Sequence, residues 1–217
     1  MSETSVLFLA GTAASVGLVH TVIGVDHTLP FVAIGRARRW SLRRTLGLTA
    51  VCGVGHVAAS LVIAFAGIVA GAAMEDLSWL DSVRGELAAW ALIVFGCTYA
   101  AWSWARRKRP HGHSHADGDA LAGWSTGRWG LFIVFVLGPC EPLVPLLIVP
   151  GLETGWWAAL FVAAVFSAAT LGAMLAVVTL GYYGLRVLPG KLSAHHAEVL
   201  AGVAIALSGL AIKVFEI

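Results

Sequence analysis

Six long apolar stretches follow one another with only short polar connections between them: Val6 to Val25, Thr45 to Ala70, Leu87 to Ala105, Leu131 to Gly151, Gly155 to Leu185 and Val199 to Phe215. A helix that crosses a bilayer needs roughly 20 mainly apolar residues, and these stretches use nearly the whole chain. Only 12% of the residues are charged and the mean hydropathy is +0.84, whereas soluble domains carry about 25% charged residues. The reading is an all-α polytopic membrane protein with six transmembrane helices and no sizeable soluble domain. Glu3 and the lack of any Lys or Arg before Val6 argue against a cleaved leader, so the first stretch is read as a retained span.

The basic residues arrange these spans. Arg36, Arg38, Arg39, Arg43 and Arg44 follow span one; Arg106, Arg107, Lys108, Arg109 and Arg128 lie between spans three and four; Arg186 and Lys191 follow span five. Twelve of the 14 basic residues therefore share one face, and only Arg84 and Lys213 fall on the other, beside Glu75, Asp76, Asp81, Glu86 and Glu153. By the positive-inside rule both termini face outward across an inner (plasma) membrane of bacterial type. The chain divides into a first three-span half (1–105), a cytoplasmic His-rich linker (106–130) and a second three-span half (131–217).

Each half opens on a polar cluster interrupted by Gly or Pro: Gly24-Val-Asp26-His27-Thr-Leu-Pro30 in the first, and Gly138-Pro139-Cys140-Glu141-Pro142-Leu-Val-Pro145 in the second. Halves with an odd number of spans insert with opposite orientation. The echo thus points to two inverted three-helix repeats whose broken first helices meet at the membrane midplane.

Ionisable side chains inside hydrocarbon cost about 2.5–3.5 kcal/mol each on insertion scales, and His20, Asp26, His27, His56 and Glu141 all fall there, with Cys140 adjoining the last. Unwinding at Gly24 lets Asp26 and His27 both turn inward, and Pro139, Pro142 and Pro145 cannot all sit in a regular helix. Imidazole, thiolate and carboxylate together suit a first-row divalent ion and suit magnesium poorly. The expected metal ligands are therefore His20, Asp26, His27, His56, Cys140 and Glu141, with Ser167 or Thr170 steadying the carboxylates. A second chelating tract is expected in the linker at His111, His113, His115 and Asp117. The bland alternative is that single histidines glue helices by hydrogen bonds, but two His and one Asp within eight residues, joined by His56, outweigh it. No phosphate-binding loop, nucleophile triad or zinc-protease motif is present; the chain is not read as an enzyme, and the arginine stripe 36–44 is read as a topology anchor with no nucleic-acid partner.

The run His20-Thr-Val-Ile-Gly-Val-Asp26-His27 resembles the signature of the nickel/cobalt transporter families, and with Gly55-His56 and the His-rich linker it is similar to the NicO and UreH-like members of the LysE superfamily. The resemblance implies transmembrane transport of a divalent transition-metal ion, with nickel, cobalt or zinc as substrate and the metal ion and membrane lipid as partners. The family spacing has four residues between His and Asp-His, and here there are five; that places His20 a turn or more away from a shared cavity of Asp26, His27, His56, Cys140 and Glu141. The element Gly138-Pro139-Cys140 also resembles that of the CcdA/DsbD thiol-disulfide relays. Two rival readings follow: an electron relay through Cys140, with Cys52 as its partner thiol, and an accessory protein that binds metal without moving it.

Overall fold

The structure is a computed structural model that describes residues 3–70, 74–106, 129–138, 140, 142–143, 145–147, 155–184 and 194–215. Every element among them is helical. Helix α1 (Glu3–Ile23) leads through a 3-10 turn (Val25–His27) into α2 (Leu29–Ala37), followed by α3 (Leu42–Ala70), α4 (Met74–Arg106), α5 (residues 129–137), α6 (Trp156–Gly184) and α7 (Ala194–Phe215). Five of these, α1, α3, α4, α6 and α7, are long and apolar enough to cross a membrane. The fourth expected stretch is described in part, as α5 and the helical residues 143 and 145–147. Large apolar side chains such as Phe8, Val69, Trp157 and Leu180 are exposed, as suits a surface whose solvent is lipid.

Helix α6 packs against α1, α2 and α3, and α4 packs chiefly against α7. One apolar cluster gathers Ala13 of α1, Ala64 of α3 and Phe166 of α6. A second gathers Phe31, Cys52, Leu92, Phe135, Met174 and Ile205, drawing on α2 through α7. The α4–α7 pair is antiparallel and joined through glycines. Gly96 faces Gly202 and Ala206, while Gly209 faces Ala89 and Leu92. A Cβ on Gly202 would lie 2.6 Å from the backbone nitrogen of Ala100, so the two backbones touch directly, the close approach that small residues permit in membranes.

One boundary corrects the sequence reading. Residues 74–86, expected as an outward loop before span three, belong to α4, and the apolar window runs from Asp76 to Arg106. Asp81 and Arg84 are both buried, 3% and 7% exposed, and pair at 2.9 Å one helical turn apart. Each charge is offset by the other, which is what allows a helix to carry them inside the bundle. Near the same end of the pair, Lys213 of α7 donates to Glu86 of α4.

Candidate metal site

The site begins where α1 stops. The backbone N–H of Gly24 donates to His20 O at 2.9 Å, after which the chain tightens into the 3-10 turn, with His27 N donating to Gly24 O and Thr28 N to Val25 O. The carbonyls of Gly24 and Val25 are thus taken up inside the turn. Pro30 stands in the first turn of α2, where a missing N–H costs nothing. The turn folds His27 back over His20, and their ring centroids lie 4.9 Å apart. Gly24 is required there by space: a Cβ on it would sit 2.5 Å from His27 Nδ1 and 3.0 Å from Asp26 Oδ1.

His56 reaches the same place from midway along α3, about 21 Å from either end of that helix at 1.5 Å per residue. Its ring meets the His27 ring edge-on at 5.0 Å. The ligand atoms of His20, His27 and His56 all lie within 4.8 Å of one another. Two of the three rings are fixed from behind. His27 Nδ1 donates to Asp26 Oδ1 at 3.0 Å, and His56 Nδ1 donates to the carbonyl of Phe135 at 3.0 Å. Both hydrogen bonds select the tautomer whose lone pair is on Nε2, and Nε2 of His20, His27 and His56 alike is buried without a hydrogen-bond partner.

A buried polar atom left unpaired costs about 1–3 kcal/mol, and three neighbouring imidazoles, each with such an atom, are the pattern expected of a ligand set. Tetrahedral zinc bound at about 2.0–2.1 Å keeps its nitrogens about 3.3–3.4 Å apart, so the trio, whose ligand atoms are up to 4.8 Å apart, would have to draw in to grip an ion. Beside His27 and His56 lies a cavity of about 20 Å³, lined also by Asp26, Leu92, Phe135 and Gly138. That is room for one ion or one water.

The structure redistributes the expected ligands. His20, placed by the sequence reading a turn or more away, belongs to the trio, because the helix breaks at Gly24 and the turn after it sets the His27 ring 4.9 Å from the His20 ring. Asp26 orients His27 through its hydrogen bond. Cys140 is fully buried in the apolar cluster of Ala13, Leu143 and Phe166 and is not among the converging ligands. Glu141, like His111, His113, His115 and Asp117 of the linker, lies outside the described residues. Ser167 donates to Ala163 O within its own helix, and Thr170 packs against Gly17 of α1, so neither serves Asp26. Cys52 and Cys140 fall in different clusters and form no disulfide.

Sequence reasoning missed Arg84. Its guanidinium donates to the carbonyls of Val136 at 3.2 Å and Gly138 at 3.1 Å, at the end of α5, as well as to Asp81. The signal was the acid–base spacing Asp81-x-x-Arg84 directly before an apolar run, which reads as one turn of helix. No protein-family model, no curated protein and no solved structure matches this chain.

Proposed function

We propose that this chain moves a divalent transition-metal ion, of the nickel, cobalt or zinc class, across a bacterial inner membrane by way of His20, His27 and His56. The observation that carries the reading is the meeting of three imidazoles, each with a buried, unpartnered nitrogen, among helices long enough to cross a membrane. An all-nitrogen set suits these ions and serves magnesium or calcium poorly, since those demand oxygen ligands. Asp26 behind His27 and the Phe135 carbonyl behind His56 raise the basicity and fix the aim of their rings, as such partners do in metal sites. Six spans in two inverted halves, with both termini outside, belong to this proposal. The second half's interrupted crossing is supported by α5 and the short helical stretch after Cys140. The NicO and UreH-like resemblance points the same way.

The test is metal accumulation in cells carrying the wild type beside a His27→Ala, His56→Ala variant, followed by flux into proteoliposomes. Accumulation that changes with the wild type alone, together with flux in the reconstituted system, is the expected result. Binding without flux would identify an accessory metal-holding protein. Equal accumulation and equal binding in both proteins would overturn the metal reading.

A further inference from the structure

Arg84 is a buried cation of the bundle interior, 7% exposed, and the surrounding geometry shows where its hydrogen bonds go. Helix α5 ends at residue 137, leaving its last carbonyls without intrahelical donors. Gly138 N donates to Val134 O and Phe135 O. Three further donors come from other helices: His56 Nδ1 to Phe135 O, and Arg84 Nη2 to Val136 O and Gly138 O. The imidazole of the metal site and the guanidinium of α4 therefore cap the same helix end, one carbonyl apart. The two caps also lie against each other's supports, since a Cβ on Gly138 would be 3.3 Å from His56 Nδ1. On the other side Arg84 is held by Asp81 at 2.9 Å and reaches Ser60 Oγ at 3.4–3.5 Å, one turn beyond His56 on α3.

We propose that Arg84 is a positioning residue of the metal site: by gripping the end of α5 it fixes the Phe135 carbonyl, and that carbonyl aims Nε2 of His56 at the ion. The assignment rests on the metal reading above. Helix stabilisation alone does not call for this arrangement, because a buried ion pair is commonly matched or bettered by apolar residues of similar volume. A planar fork is what spans two carbonyls while pairing with a carboxylate. A negative helix C-terminus also favours a cation at this place.

The experiment titrates Co(II) into the purified full-length protein in detergent and follows its ligand-field absorption, for the wild type, Arg84→Met, Arg84→Lys, His56→Ala and the Arg84→Met, His56→Ala double variant. Arg84→Met should lose about 10- to 100-fold in Co(II) affinity, the usual effect of removing the partner behind a ligand, with altered absorption bands at saturation. Arg84→Lys keeps the Asp81 pair but not the fork and should fall between Arg84→Met and the wild type. In the His56→Ala background the same Met substitution should change affinity by no more than about twofold, because its route of action is gone. Equal losses with and without His56, or a wild-type spectrum and affinity in Arg84→Met, would overturn the positioning role while leaving the metal site standing. If Arg84→Met does not yield folded protein, Arg84→Lys decides, and a wild-type titration for that variant overturns the inference. Wild-type protein that takes up no Co(II) would instead sink the metal reading itself.

Discussion

Replacing Gly24 with alanine removes no ligand and yet should dismantle the site. Gly24 has φ −69° and ψ 92°, an extended conformation open to any residue, so the backbone does not resist the change. Where a Gly→Ala substitution fits, it stabilises by about 0.4–1 kcal/mol through the unfolded chain. Here the new methyl group would lie 2.5 Å from His27 Nδ1, against the about 3.5–4.0 Å at which non-bonded carbon neighbours rest. The ring must therefore retreat by about 1 Å, and it is only 4% exposed, with the His20 and His56 rings about 5 Å away. Either the Asp26–His27 bond is lost, at about 1.5–3 kcal/mol for a bond to a charged group, or the neighbours give way, at about 1–3 kcal/mol for overpacking. The middle of either range, about 2 kcal/mol, is about thirtyfold in metal affinity at 1.4 kcal/mol per tenfold, while the backbone gain offsets only the loss of folding stability. Titration calorimetry with Ni(II) or Zn(II) on the purified variant reads that loss, and thermal unfolding reads the stability beside it. A Gly24→Ala protein that is more stable and binds metal as the wild type does would refute the reasoning, because it would mean that the 3-10 turn does not hold His27 where the structure has it.

His20→Ala should cost as much binding as His27→Ala or His56→Ala, more than a hundredfold each on the scale of about 10–16 kcal/mol for complete structural sites; a mild His20 phenotype would return that residue to a bystander role. Since an imidazole ligates only through a deprotonated nitrogen, apparent affinity measured by the same calorimetry should fall on acidification, with up to three protons displaced per ion. Cys140→Ser should leave Co(II) affinity within about twofold, because its buried apolar setting is separate from the trio, and no Cys52–Cys140 disulfide should be trapped in cells. Deleting residues 111–119 should change the sensitivity of cells to metal without abolishing accumulation, and a cysteine placed at Gly118 should label only after the cells are permeabilised.

The class of fold was legible because it rests on length and polarity: apolar stretches of span length leave a chain few choices. The polar break of the first half was also legible, since Asp26 and His27 between Gly24 and Pro30 are costly in lipid wherever they point. What failed was geometry that depends on departures from regular helix. The extra residue between His20 and Asp26-His27, counted against the family spacing, put His20 away from the site, and a count along the chain takes no account of the 3-10 turn that follows Gly24. The start of α4 was misplaced because hydropathy counts Asp81 and Arg84 as two charges, while in the fold they meet as one pair. Cys140 was joined to the expected ligand set by adjacency to Glu141 and Pro139 along the chain, whereas the group close enough to share an ion among the described residues is His20, His27 and His56. Phe135 touches His56 through its backbone oxygen, which no side-chain pattern reports, and the spacing Asp81-x-x-Arg84 signals a helical turn without saying that Arg84 reaches the end of α5.

The glycine contacts between α4 and α7 bear on what in this bundle is free to move. Helices separated by full side chains can slide, because rotamers exchange as ridges pass one another; helices whose backbones rest on each other at Gly96, Gly202 and Gly209 have no such lubricant. On the transport reading proposed above, α4 and α7 would serve as the fixed frame, with Arg84 mounted on it. The working stroke would then belong to the break after α1, where His20 and His27 stand on either side of a helix interruption. Two ligands would ride on the hinge and one, His56, would stay tied through α5 to the frame, so that release would begin by opening the histidine triangle along its His27–His56 edge.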